Sequence, residues 1–139
     1  EPAKMAAADI SPAGSAGLVL IADDDPVTRR ILRRFLSFLS YTTLEAQDGA
    51  AALKLARARR PDIVLLDISM PERNGLEVLK ELVPEMPATG FMMITGNEDE
   101  AVARECLKNG AFDYISKPIN LASLKTVVSA WFMVQTKQD

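Results

Sequence analysis

Ile63-Val64-Leu65-Leu66-Asp67-Ile68-Ser69-Met70-Pro71 is a short apolar run that delivers one carboxylate near its end, before Ser69 and Pro71 close it. An apolar run without alternation reads as a strand buried on both faces, as in a parallel sheet. A carboxylate at the carboxyl end of such a strand sits where open α/β sheets place their ligands. The rest of the chain decides whether other reactive side chains reach the same edge.

Working outward, Leu18-Val19-Leu20-Ile21-Ala22 is a first buried strand, stopped by Asp23-Asp24-Asp25-Pro26. Pro26 suits a first helical turn, and the acids before it favour a helix N-terminus. The helix spans residues 26–39, with Val27, Ile31 and Phe35 at four-residue steps and Leu32, Leu36 and Leu39 widening the stripe. Arg29, Arg30, Arg33 and Arg34 fall on its other side and read as a solvated face. Residues 42–46 form a short second strand, followed by an alanine-rich helix over 50–59 with Leu53 and Ala56 inward.

After the opening stretch, residues 75–82 form a third helix carrying Leu76, Leu79 and Leu82. Phe91-Met92-Met93-Ile94 is a fourth strand ending in Thr95-Gly96. The next helix has an acidic start (Glu98, Asp99, Glu100), runs to about Lys108 and is capped at Asn109-Gly110. Residues 111–116 hold a fifth strand, then Lys117-Pro118 and a last helix over 121–135. Five strand–helix units imply a doubly wound parallel sheet with helices on both faces. Residues 1–16, rich in Ala, Pro, Ser and Gly, read as a flexible lead or linker, leaving residues 17–139 as one domain. The lead suits a linker from an upstream domain as well as a free terminus.

Composition narrows the function classes. A net charge of -3 gives no general reason to expect nucleic-acid or membrane binding. No apolar stretch approaches the ~18 residues of a membrane span, and no signal peptide precedes the first strand. The single cysteine, Cys106, excludes an intramolecular disulfide and fits a reducing, cytoplasmic compartment. The chain holds no histidine, so it supplies neither a phosphohistidine nor an imidazole ligand.

The strand ends carry the chemistry. Asp23 and Asp24 end the first strand, Asp67 the third, Thr95 the fourth and Lys117 the fifth, and in a doubly wound sheet these ends open on one edge. Carboxylates ~5 Å apart at an effective dielectric near 20 repel by about 3 kcal/mol per pair. Lys117 offsets one charge, and a hard divalent cation with oxygen ligands, Mg²⁺ in preference to a fully caged Ca²⁺, offsets the rest. A carboxylate can also attack phosphorus and form an aspartyl phosphate. Asp67 stands alone on the central strand and is the nucleophile candidate. Asp23 and Asp24 look like a metal-holding pair, with Thr95 and Lys117 as donors to phosphoryl oxygens.

At these residues the sequence resembles a family, the receiver domain of two-component response regulators. The carrying motifs are Leu20-Ile21-Ala22-Asp23-Asp24-Asp25, Leu65-Leu66-Asp67-Ile68-Ser69-Met70-Pro71 with Gly75, Ile94-Thr95-Gly96, and Gly110-Ala111-Phe112-Asp113-Tyr114 through Lys117-Pro118. Each alone is weak; together, in order and at family spacing, they are specific, and they cover residues 18–135. The resemblance implies a flavodoxin-like sheet of order 2-1-3-4-5 with five helices. It implies phosphorylation of Asp67, Mg²⁺ at Asp23, Asp24 and Asp67 with the Ser69 backbone carbonyl, and contacts from Thr95 and Lys117 to the phosphoryl group. Lys117-Pro118 would be a cis peptide, and Thr95 with Tyr114 would form the switch pair, although packing alone explains Tyr114 equally well. Ser69 and Asn97 occupy the positions that tune phosphate lifetime in the family.

The function implied is a phosphorylation-dependent signalling switch, not a turnover enzyme. Its phosphodonor would be a histidine kinase or histidine phosphotransfer protein, and its output a downstream effector domain or protein reached through the fourth-strand to fifth-helix face. Val127, Val128, Trp131, Phe132 and Val134 make the last helix apolar on more than one side, which suits core packing plus contact with a second copy or neighbouring domain. The competing reading is a Mg²⁺-dependent phosphohydrolase with an aspartyl nucleophile. Such enzymes commonly place a second carboxylate two residues after the first, where this chain has Ser69. A receiver-like module that has lost phosphate chemistry would depart at Asp67 or Lys117, and neither is lost. Acids in the first loop disfavour a flavin-phosphate site.

Overall fold

The computed structural model describes residues 14–96 and 100–137. Asn97, Glu98 and Asp99, expected as a tuning position and the acidic start of the fourth helix, lie outside the described residues, as does most of the lead.

Five parallel strands alternate with five helices: β1 (Gly17–Ala22), α1 (Pro26–Phe38), β2 (Tyr41–Ala46), α2 (Gly49–Arg59), β3 (Ile63–Asp67), α3 (Gly75–Leu82), β4 (Gly90–Thr95), α4 (Glu100–Lys108), β5 (Asp113–Ser116) and α5 (Leu121–Lys137). Their lateral order is β2-β1-β3-β4-β5, the doubly wound arrangement implied above. β3 is the centre, with Ile63, Val64, Leu65 and Leu66 all fully buried. Burial of each such side chain contributes about 1.5–3 kcal/mol relative to exposure.

Side chains alternate across the sheet, so every central strand feeds two cores. Val19, Ile21, Ile63, Leu65, Met92 and Ile94 face α1 and α5, meeting Leu32, Leu36, Leu124 and Val128. Leu20, Val64, Leu66, Phe91 and Met93 face α2, α3 and α4, meeting Leu53, Val78, Leu79, Leu82 and Cys106. Cys106 packs as a small buried hydrophobe, and burial pushes its thiol up to about 11.

Two expectations need correction. The buried stripe of α1 is Leu32 and Leu36 with Phe35 and Leu39 beside it; Val27 and Ile31 are about half exposed, at 50% and 49%. Those two fall on the far edge of the helix because the 3.6-residue period drifts away from a strict four-residue step. β5 begins at Asp113, since the Ala111 N–H is drawn back to the Cys106 carbonyl at the end of α4. On α5, the packed part of the apolar surface closes the amino end of the sheet. Phe132 stacks on Tyr41 with centroids 5.2 Å apart, and Trp131 lies over Gly90, where a Cβ would come within 2.6 Å of the indole. Met133 and Val134 remain exposed. At the other end of the chain, Ser15 Oγ meets Thr42 Oγ1 at 2.9 Å and Ala16 N–H bonds the Ser40 carbonyl.

Candidate functional site

The carboxyl ends of β1 and β3 bring the acids together because the two strands are adjacent and in register, Ala22 beside Leu66. The residues that follow these partners are Asp23 and Asp67. Asp23 is fully buried, Asp67 is 3% exposed, and Asp24 faces solvent. Carboxylate oxygens of Asp23, Asp24 and Asp67 lie within 4.8 Å of one another, the one such acidic cluster among the described residues.

Backbone groups set the two buried acids. Asp23 N–H donates to the Ala46 carbonyl on β2 at 3.1 Å, and Asp23 Oδ1 accepts the Asp25 N–H at 2.9 Å. Asp67 Oδ1 accepts the Ser69 N–H at 3.2 Å. Asp25 serves a different purpose: it caps α1, accepting from Val27 N–H and from Thr28 Oγ1 at 2.7 Å. Those bonds, the Thr28 hydroxyl foremost, hold its carboxyl below the usual range.

β5 supplies the positive charge. Lys117 follows Ser116, which pairs with Thr95, and its N–H donates to the Thr95 carbonyl at 2.8 Å. Its ammonium reaches over the cluster, 3.2 Å from Asp23 Oδ2 and 3.4 Å from Asp67 Oδ2. The Lys117-Pro118 peptide is cis. Thr95 is buried at the end of β4, and Tyr114, opposite Met93, packs half-buried on the α2–α4 side.

The electrostatics are unbalanced. Burial, then repulsion from Asp23, pushes the Asp67 carboxyl up to about 7, against the pull of Lys117. Burial disfavours the charged ammonium of Lys117, but Asp67 and Asp23 outweigh it and raise its pKa. Asp23 Oδ2 is buried and, despite the nearby ammonium, has no hydrogen-bond partner in usable geometry. A buried carboxylate oxygen without a hydrogen bond, two further carboxylates and a purely oxygen donor set fit a hard divalent cation. This cluster can hold a metal ion.

Every strand-end residue singled out in the sequence thus arrives at one edge. The sequence reading missed Arg29. Its side chain is 16% exposed, donating from NH1 to the Asp23 carbonyl at 2.8 Å and from Nε to Glu45 Oε1 at 3.2 Å. It is not part of a solvated face. The available signal was its spacing: Arg29, Leu32 and Leu36 are three and four residues apart, so Arg29 flanks the buried stripe.

Comparison with known proteins identifies the family and agrees with the fold. Residues 19–129 match the model of the response regulator receiver domain family. The chain is 36% identical to regulatory protein AtoC of Escherichia coli over 118 residues, which cover 85% of this chain and 26% of AtoC. It is 37% identical to response regulator MprA of Mycolicibacterium vanbaalenii over 121 residues, covering 87% of this chain and 52% of MprA. The chain therefore spans between a quarter and about half of these relatives. Among solved structures, the receiver domain of NtrX from Brucella abortus superposes with a TM-score of 0.79 at 29% identity, covering 83% of this chain and 98% of that one. The receiver domain of AraT from Geobacillus stearothermophilus gives 0.81 at 30% identity, covering 89% and 99%. With the fold, the acidic edge and these likenesses in agreement, the chain belongs to the response regulator receiver domain family, whose members are phosphorylation-dependent signalling switches.

Proposed function

We propose that Asp67 is the phosphoacceptor of this receiver domain and that Asp23, Asp24 and Asp67, with the Ser69 backbone carbonyl, hold Mg²⁺. The observation carrying this reading is the convergence of three carboxylates and one ammonium on a single sheet edge, with Asp23 Oδ2 buried and lacking a hydrogen bond. When bound, Mg²⁺ supplies positive charge to phosphoryl oxygens at this edge. The chain's own groups do the remainder. Asp67 attacks the phosphorus of a partner's phosphohistidine; the O–P bond forms as the N–P bond breaks, and the imidazole leaves with the electron pair. Lys117 and the Thr95 hydroxyl bind the transferred oxygens. Lys117 then exchanges a carboxylate partner for the phosphoryl group, which carries roughly -1.5 to -2 of charge in place of the carboxylate's own, a net addition of at most about one negative charge.

The donor in this reading is a histidine kinase or a histidine phosphotransfer protein. The recipient of the signal is an effector domain or protein reached through the face from β4 to α5, with Thr95 and Tyr114 as the moving pair. The domain assists its own phosphorylation and dephosphorylation without turning over a metabolite, and it works in the cytoplasm. Among the described residues no helix is long and apolar enough to cross a membrane. Residues 17–139 are assigned to the receiver unit and 1–16 to a lead, a division supported by the start of β1 at Gly17.

Intact mass after incubation with a small acyl phosphate and Mg²⁺ tests the assignment. The wild type is expected to gain one phosphoryl group and Asp67→Asn none. Equal labelling of both proteins removes Asp67 from the role.

A further inference from the structure

The β1–α1 loop is anchored from both sides. Asp23 N–H is held by the Ala46 carbonyl of β2, and the Asp23 carbonyl is held by Arg29 NH1 from the first turns of α1. Arg29 is itself braced, because its Nε donates to Glu45 Oε1, and Arg33 Nε sits 3.1 Å from the other oxygen of that carboxylate. The planar guanidinium thus spans two acceptors, one in the β1–α1 loop and one on β2, a geometry a lysine ammonium reproduces poorly. The Asp23 carbonyl belongs to the peptide unit shared with Asp24. Holding it orients both acids: Asp23 inward beside Asp67, Asp24 outward at the mouth of the cluster.

We infer that Arg29 is a positioning residue for the cation site, acting as a two-point clamp from α1 and β2 on the peptide that carries Asp23 and Asp24. The inference rests on the reading of Asp23, Asp24 and Asp67 as a divalent-cation site. Its sign separates it from a plain charge effect. Arg29 is a cation close to a cation site, so by charge alone its removal strengthens Mg²⁺ binding. As a clamp, its removal weakens binding, because partners that orient metal ligands typically account for 10–100-fold in affinity.

The test is Mg²⁺ affinity of the full chain, measured by calorimetry without any phosphodonor, alongside the melting temperature of the metal-free protein. Arg29→Ala is expected to weaken Mg²⁺ binding about 10-fold. Arg29→Lys keeps the charge and the aliphatic stem; it is expected to melt as the wild type does and still bind Mg²⁺ more weakly, so the clamp is tested even if the alanine variant fails to fold. Arg33→Ala removes an equal charge that touches Glu45 but not Asp23, and is expected to stay within about twofold of wild type. Affinity in Arg29→Lys equal to or tighter than wild type overturns the clamp, as does an equal loss in Arg33→Ala. Failure of the wild type to bind Mg²⁺ at all overturns the cation site itself, and the clamp with it.

Discussion

Lys117 is the residue on which the metal-free site depends. Its ammonium stands between two buried carboxylates, 3.2 Å from one and 3.4 Å from the other. Removing one member of such a group leaves charge that water reaches poorly. The lysine side chain is 33% exposed, which tempers the effect. Lys117→Ala is therefore expected to lose roughly 1–3 kcal/mol near pH 8 without Mg²⁺, measured by urea unfolding. The loss should shrink near pH 5, where Asp67 holds a proton and the repulsion it shares with Asp23 is gone. An equal loss at both pH values would assign the effect to the aliphatic stem instead. At this scale the sequence was informative wherever a reactive side chain ended an apolar run, as with Asp67 and Lys117. It said less about Arg29: spacing to Leu32 and Leu36 puts that arginine beside the buried stripe, but sequence does not say whether its guanidinium meets water or a carbonyl.

α3 supports the end of β3 that carries Asp67, through Gly75 at its first turn. Its N-terminus carries a reciprocal cap, in which Glu77 N–H donates to Asn74 Oδ1 at 2.9 Å and Asn74 N–H donates to Glu77 Oε1 at 3.0 Å. Asn74→Ala is expected to lower stability by about 1 kcal/mol while leaving phosphoryl uptake by Asp67 intact. Gly75, one residue on, behaves differently. A Cβ there would press on the Asp67 carbonyl and lie 2.8 Å from Ile68 Cα, and its N–H bonds the Ile68 carbonyl. Gly75→Ala must push the end of β3 or the start of α3, at a cost of roughly 1–3 kcal/mol. It should also slow phosphoryl uptake, read by the same intact-mass assay, whereas a stable protein with normal uptake would show that the loop absorbs the methyl group freely. The bounds of α3, Gly75–Leu82, were legible in advance from its apolar positions Leu76, Leu79 and Leu82 and from the closing Pro84 and Pro87. The inward face of α1 was not, since Val27, Ile31 and Phe35 fit a four-residue step as well as Leu32 and Leu36 fit the true one.

The whole molecule places a repulsive cluster at one end of an otherwise apolar sheet, and its pH response should reveal that. The order of the strands was not encoded by any residue; apolar runs say that strands are buried, not which neighbours they take. Once β1 and β3 are adjacent, the consequences are calculable. Asp67 titrates at about 7 in the folded protein against 3.8 for an ordinary aspartate, so between those values the folded state keeps a proton the unfolded chain has released. Stability from this group is fully present below about pH 4 and is lost as pH rises through about 7. Glu81 and Glu85 act in the opposite sense: hydrogen bonds from Arg57 lower both, so their contribution is present above the usual glutamate range and fades as acid is added. The metal-free protein should thus be most stable at about pH 4–5 and lose roughly 1–3 kcal/mol by about pH 8, a figure already reduced for the solvent-facing side of the cluster. Two changes should abolish the alkaline limb independently: Mg²⁺, which neutralises the cluster, and Asp67→Asn, which removes the titrating acid while keeping its shape. Melting curves across this range, with and without Mg²⁺, check both. A limb that survives in Asp67→Asn would locate the titration elsewhere and leave Asp67 as an ordinary ionised carboxylate.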